Sequence, residues 1–279
     1  MRKLGLIAGG GGLPLALAEH CQRTGRPYFV IRLKGFAEPP LEDHPGESAG
    51  LAEIGRIVRL ARSAGCEALC FAGMVRRPDF AALTPDMRGL TWLPGAAMAA
   101  RRGDDALLRF LMNGFEKEGF AIEGAHDVMG ELTLPPGPLG AHAPGEAHAA
   151  DVAKAIETAR AIGALDIGQG AVVCDGLVLA VEAQEGTDAM LGRVAELPPT
   201  LRGAPDRRRG VLAKVPKPIQ EERVDLPTIG MASIEGAARA GLAGIVGVAG
   251  KMLVLDREAV VAAADAAGLF VVGVPDPDR

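Results

Sequence analysis

A short apolar run, Leu4-Gly5-Leu6-Ile7-Ala8, ends in four glycines, Gly9 to Gly12, and from Leu15 to Thr24 apolar residues recur at helical spacing. Strand, glycine turn, helix: this order commits the N-terminus to the start of an alternating α/β unit. The next segments agree. Tyr28 to Leu33 is rich in β-branched and aromatic residues and predicts a second strand. Leu51 to Ala64 places Ile54, Ile57, Val58 and Ala61 on one helical face. Ala68 to Met74 reads as a buried strand, and Asp104 to Glu118 as a helix with two acids in its first turn, where they suit the helix dipole. Strands alternating with helices predict a Rossmann-like parallel sheet.

The pattern then breaks. Leu134-Pro135-Pro136-Gly137-Pro138-Leu139-Gly140 cannot continue a helix or a central strand, because proline lacks the amide donor. A chain of 279 residues favours two domains over one. The expected organisation is an N-terminal domain over 1–133, a Pro/Gly-rich connection over 134–147, and a C-terminal catalytic domain over 148–279.

The second half differs in kind. A helix is predicted from His148 to Ile162. Ala171–Cys174 and Leu177–Glu182 flank Asp175-Gly176, a strong hairpin signal, since both turn positions require positive φ. A helix from Thr187 to Val194, opened by Thr187 or Asp188, should follow. Val211 to Val215 reads as a strand, Ile234 to Ala240 as a helix, and Gly244 to Leu255 as a further hairpin. Asp256 to Ala267 reads as a helix and Phe270 to Val274 as a last strand. The predicted class is α/β with two domains: a Rossmann-like parallel sheet with helices, then a mixed α/β domain containing hairpins.

Hydrophobic content of 48% with 23% charge gives ample core, and a net charge of −5 offers no general reason to bind nucleic acid. The four cysteines lie in apolar surroundings and read as reduced, buried thiols. No run approaches the roughly 18 to 20 apolar residues needed to cross a bilayer, and no signal peptide precedes Leu4. A cytoplasmic protein is expected, compatible with a membrane-borne substrate.

Polar residues cluster at the ends of apolar runs, where loops carry chemistry. Gly10, Gly11, Gly12 and Leu13 open a helix after a strand, a setting in which backbone N–H groups approach an anion. Their spacing fits neither the dinucleotide fingerprint nor a P-loop, and a ligand-free tight turn explains them as well. Glu182 to Asp188 places Glu185, Gly186, Thr187 and Asp188 at a helix start. An ordinary N-cap would account for the last two, but three acids within that run would repel unless cations offset them. Lys214 and Lys217 straddle Pro216, so both are held on a stiff segment as point charges for phosphate oxygens; solvated lysines are the plainer alternative. Asp225, among Leu226, Pro227 and Ile229, should be partly buried, and therefore paired, protonated or metal-bound. Carboxylates plus substrate phosphates are the usual Mg²⁺ ligands, while Arg223 could instead be its structural partner.

Lys3–Pro14, Gln169-Gly170, Glu182–Asp188, Lys214-Val215-Pro216-Lys217-Pro218 and Arg223–Gly230, with its Asp-Leu-Pro-Thr-Ile-Gly motif, resemble the UDP-2,3-diacylglucosamine diphosphatases of lipid A synthesis. The likeness is to the type unrelated to the metallophosphatases and spans essentially the whole chain. It implies hydrolysis of UDP-2,3-diacylglucosamine by water attack on the α-phosphorus, releasing UMP and 2,3-diacylglucosamine 1-phosphate (lipid X). It also implies a requirement for Mg²⁺, two domains with substrate between them, and work at the cytoplasmic face of the inner membrane, with peripheral lipid contact. Asp225 would be the essential acid, as metal ligand or as the group orienting water, with Asp188 and Glu185 sharing the metal load. Lys214 and Lys217 would neutralise the diphosphate, Thr187 and Gln169 would hydrogen-bond it, and Gly10–Leu13, Gly186 and Thr228 would complete the substrate site. The Pro/Gly connection would let two copies exchange domains in a homodimer.

Two other readings compete. A nicotinamide-dependent oxidoreductase would want an acid after the second strand, where Leu33-Lys34-Gly35 stands. A non-catalytic nucleotide-binding module would leave Asp225 and the lysines without a task.

Overall fold

The computed structural model describes residues 1–76, 79–218, 221, 223 and 225–276, and the chain divides into two units, the first Met1–Gly130 and the second from Glu131 onward.

In the first unit, β1 (Leu4–Ala8), α1 (Gly12–Thr24) and β2 (Tyr28–Leu33) lead to a short edge strand, β3 (Gly46–Ala49). Helix α2 (Ile54–Ser63) returns the chain to β4 (Ala68–Ala72), and α3 (Met87–Ala100) and α4 (Asp104–Lys117) lead to β5 (Ala121–Ile122) and the single turn α5 (Ala125–Val128). The sheet order is β3-β2-β1-β4-β5, and all four pairings are parallel. This is the Rossmann-like arrangement expected. The strand order reverses between β1 and β4, and Gly9–Gly12 lie at that switch point, where open α/β sheets take ligands. The predicted strand from Ala68 stops at Ala72. Beyond it Gly10 and Met74 exchange backbone hydrogen bonds of 2.9 and 2.8 Å. The two loops approach so closely that a Cβ on Gly9 would stand 2.8 Å from the Met74 carbonyl oxygen.

Helix α3 escapes the sequence reading. It carries Pro94 and two glycines, all poor helix formers, and is held instead by contacts. Trp92 packs edge-on against Phe110 and Phe115 of α4. The Asp86 side chain accepts from the backbone N–H of Gly89 in α3 and from those of Gly55 and Arg56 in α2, at 2.8, 3.1 and 2.8 Å. One carboxylate thus caps two helices. Burial alone would raise its pKa, but the surrounding backbone N–H groups outweigh that and hold it below the usual carboxylate range.

The second unit begins earlier than expected. Leu134 is fully buried in its core, and β6 (Gly137–Pro138) pairs antiparallel with the last strand. The stretch read as a connection over 134–147 is thus partly woven into this unit. Proline is tolerated there because β6 is an edge strand. Then come α6 (Ala149–Ala164), the hairpin β7 (Gly170–Cys174) and β8 (Leu177–Val181), α7 (Gly186–Glu196) and β9 (Val211–Lys214). After β10 (Thr228–Ile229) follow α8 (Met231–Arg239), β11 (Gly244–Val248), β12 (Leu253–Val254), α9 (Arg257–Ala267) and β13 (Phe270–Val274). The mixed sheet runs β6-β13-β11-β9-β7-β8. Asp175 and Gly176 turn the hairpin with φ of 49° and 76°, as the Asp-Gly pair predicts. The hairpin predicted over Gly244–Leu255 does not form. β11 lies parallel between β9 and β13, and β12 pairs instead with β10 in a separate two-stranded sheet.

Residues alternate between the two faces of this sheet. Val172, Leu212, Ile245 and Val271 meet α7, α8 and α9, whereas Val173, Val211, Ala213 and Val246 meet the alanines of α6. Lys214 is next in that alternation, which directs it to the α7 side at the carboxyl end of β9.

Candidate active site

Three strands bring the polar groups together. β9, β7 and β8 are neighbours, β9 and β8 run in the same direction, and Lys214 and Glu182 therefore emerge at one edge and on one face. Between them lies Gly170, in register with Lys214 and accepting a hydrogen bond from the Glu182 N–H at 2.8 Å. Side chains two strands apart would ordinarily be separated by the middle residue. Glycine removes that obstacle: a Cβ at 170 would stand 2.6 Å from Glu182 Oε2.

The ammonium and carboxylate meet across this gap at 4.0 Å, with residue exposures of only 4% and 6%. Lys214 Nζ donates to Thr187 Oγ1 at 2.7 Å and to the Thr228 carbonyl at 3.1 Å. The Thr187 hydroxyl in turn donates to Glu182 Oε1 at 2.6 Å. Burial pushes Lys214 below its ordinary pKa, while the charges of Glu182, Asp225 and Asp188 pull it back up. Those three carboxylates come from the end of β8, the segment before β10 and the first turn of α7, so separate stretches of sequence act on one ammonium.

Asp225 is half-buried, as expected, and its N–H donates to the Glu221 carbonyl at 3.2 Å. Arg223 places its guanidinium on Glu221, with contacts of 2.9 and 3.2 Å. Asp188 is exposed at the start of α7. Thr187 does not cap that helix as expected. Glu185 is the N-cap residue without a side-chain bond, and the Thr187 hydroxyl is committed to Glu182. Gly186 takes φ of 79° at the helix start. Glu185 pairs with Arg193, and its own backbone N–H together with that guanidinium holds its pKa below the usual range. The crowding of three acids foreseen in this segment is thus relieved by Lys214 and Arg193.

The remaining candidates are dispersed. Gln169 accepts the Val215 N–H at 3.0 Å, tying β7 to the end of β9. Lys217 turns to Asp166, at 2.7 Å, against the end of α6. Asp166 was not foreseen, because nothing local marks it. Glu182 was read only as one of three crowded acids. The glycine at 170, one strand over, is the signal that could have singled it out. In the first unit, Gly11 and Gly12 are exposed, Gly10 is tied to Met74, and Leu13 is half-buried in the first turn of α1. The Gly11 N–H donates to Glu38 Oε1 at 3.3 Å, so a carboxylate already stands at this helix start.

Carboxylate oxygens are the donors that a hard cation takes. Mg²⁺ binds one or two carboxylates plus substrate phosphates, not an all-protein cage. Asp225 and Asp188 offer two such carboxylates. Among the described residues no group of three or more His, Cys, Asp or Glu could hold a metal ion. All four cysteines are buried and free, and burial raises each thiol's pKa, which keeps them protonated. Among the described residues no helix is long and apolar enough to cross a membrane.

Fold and site together define a two-unit α/β protein with a buried lysine–carboxylate centre at the carboxyl edge of a mixed sheet. The family models for the LpxI N-terminal domain and the LpxI C-terminal domain match residues 3–132 and 135–272, and the chain belongs to the LpxI family. It is 65% identical, over 279 residues and the full length of both chains, to the UDP-2,3-diacylglucosamine pyrophosphatase LpxI of Caulobacter vibrioides.

Proposed function

We propose that this chain is a UDP-2,3-diacylglucosamine diphosphatase of lipid A biosynthesis. Identity of 65% over the full length to a protein of that name supports the substrate, and the buried Lys214 centre supports the chemistry. Water attacks the α-phosphorus, the bond from that phosphorus to the bridging oxygen breaks, and the products are UMP and 2,3-diacylglucosamine 1-phosphate. Diphosphate hydrolysis depends chiefly on positioning and on stabilising charge that develops on oxygen. Lys214, buried beside Glu182 and within the field of Asp188 and Asp225, is placed to meet that charge. Asp225 orients the attacking water and accepts its hydrogen bond.

Asp225, with Asp188, would hold Mg²⁺, which supplies positive charge to the phosphate oxygens when bound. Lys217, paired with Asp166, anchors the Pro216-Lys217-Pro218 segment. Peripheral membrane contact belongs to the same reading, since the substrate carries two acyl chains, and a homodimer is the state inferred from the Pro/Gly-rich stretch. Vesicle flotation and light scattering check them.

The deciding experiment is incubation of purified protein with UDP-2,3-diacylglucosamine and Mg²⁺, following UMP. Wild type should release UMP, and Asp225→Ala should retain its fold and bind substrate without turning it over. An active Asp225→Ala enzyme would remove the role given to this acid.

A further inference from the structure

The two oxygens of Glu182 have unequal surroundings. Oε1 accepts the Thr187 hydroxyl hydrogen, whereas Oε2 is buried with no hydrogen-bond partner among the described residues. Keeping a carboxylate in that state is costly unless attraction and hydrogen bonds compensate. Its neighbours limit what it can be doing. A hydroxyl has one hydrogen and two lone pairs. With its hydrogen on Glu182, Thr187 Oγ1 can only accept, and what it accepts is a hydrogen of Lys214 Nζ. An ammonium has three hydrogens. One goes to Thr187 and one to the Thr228 carbonyl, so the direction of the third is fixed by the other two.

We propose that Glu182 is a positioning residue that, through Thr187, aims the remaining N–H of Lys214 at the substrate diphosphate. Thr187 is then a link in the relay and not a hydrogen-bond donor to phosphate. Were Glu182 absent, the hydroxyl could turn its hydrogen elsewhere and the ammonium would lose the acceptor that fixes it. Gly170 belongs to the same device, because any side chain there would displace Oε2. This inference rests on the assignment of Lys214 to the diphosphate.

The test uses the full-length enzyme with Glu182→Met, Thr187→Val, Thr187→Ser and the double variant Glu182→Met/Thr187→Val. Glutamine is avoided at 182 because its amide oxygen would still accept the Thr187 hydroxyl hydrogen. Parameters kcat and KM are measured on UDP-2,3-diacylglucosamine with Mg²⁺. Glu182→Met and Thr187→Val should each lower kcat by about 10- to 100-fold, the range typical of partners that orient a functional ligand. KM should change little. Thr187→Ser, which keeps the hydroxyl, should retain most activity. Residues acting as one unit are non-additive, so the double variant should lie within about twofold of the worse single variant. Wild-type kcat in Glu182→Met, multiplicative losses in the double variant, or Thr187→Ser as impaired as Thr187→Val would each overturn the relay. Should Glu182→Met fail to fold, the Thr187 pair decides alone. A wild-type enzyme that releases no UMP sinks the proposed function itself, a result visible before any variant is read.

Discussion

Gly170 stands directly opposite Lys214 in the β7–β9 ladder, and its missing side chain is what lets the ammonium approach Glu182 from two strands away. Gly170→Ala should therefore damage the site more than the fold. The added Cβ meets Glu182 Oε2 at 2.6 Å, so the carboxylate must shift from Thr187. We expect kcat to fall by at least about 10-fold. Urea unfolding should register a loss of about 1–3 kcal/mol, the usual cost of overpacking a tight site.

The two lysines that flank Pro216 should separate functionally. Lys214 is buried among carboxylates and Thr187, whereas Lys217 is hydrogen-bonded to Asp166 at 2.7 Å. Lys214→Met should lower kcat by about 100-fold or more, as when a donor to developing negative charge is lost. Lys217→Met should mainly destabilise, by about 1–3 kcal/mol for a charged hydrogen bond, and Asp166→Asn should mimic it. Parallel kinetics and urea titrations check both. Equal losses of turnover at 214 and 217 would contradict the assignment.

Asp86 makes the stability of the first unit sensitive to acid. Its folded pKa is depressed by the N–H groups it caps, so the stability it contributes is fully present above the unfolded value of about 3.9. That contribution is lost as the pH falls through the folded value. Asp86→Ala should be less stable than wild type near neutrality, and the gap should narrow as the pH falls below the ordinary aspartate value of about 3.9. Chemical denaturation of both proteins from neutrality to below that value measures it.

Chelation should stop turnover without unfolding the chain. A cation held by one or two carboxylates and the substrate leaves little of its binding free energy in the free protein. EDTA should therefore abolish UMP release, and Mg²⁺ should restore it, while the unfolding midpoint without substrate stays unchanged. A midpoint that drops with EDTA would point to a resident structural ion instead.

What the sequence made legible was local. The glycine turn after β1, the Asp175-Gly176 hairpin and the apolar run of β13 each carry their signal within a few residues. Helix α3 was hidden because Pro94 and its glycines oppose a helix, and only Trp92 packing on α4 and the Asp86 cap overcome them. Gly244–Leu255 misled because Gly250 does turn the chain, with φ of 75°, but β12 finds β10 and not β11. In the site, Asp225, Lys214 and Thr187 stood out as polar groups at the ends of apolar runs. The Glu182 relay did not, since it depends on which strands are neighbours. That order is settled by long-range pairing.

Residues 131–140 carry a practical lesson for anyone wishing to excise the C-terminal half. A fragment beginning at the α6 helix would look sensible by sequence, yet it would remove Leu134 from the core and strip β6 from β13. It would also take away the Glu131 and Thr133 carbonyls that receive Arg257. The bared strand would be free to recruit other chains, as uncovered sheet edges do. Truncations started at Glu131 should stay monodisperse on gel filtration, whereas those started at 148 should precipitate.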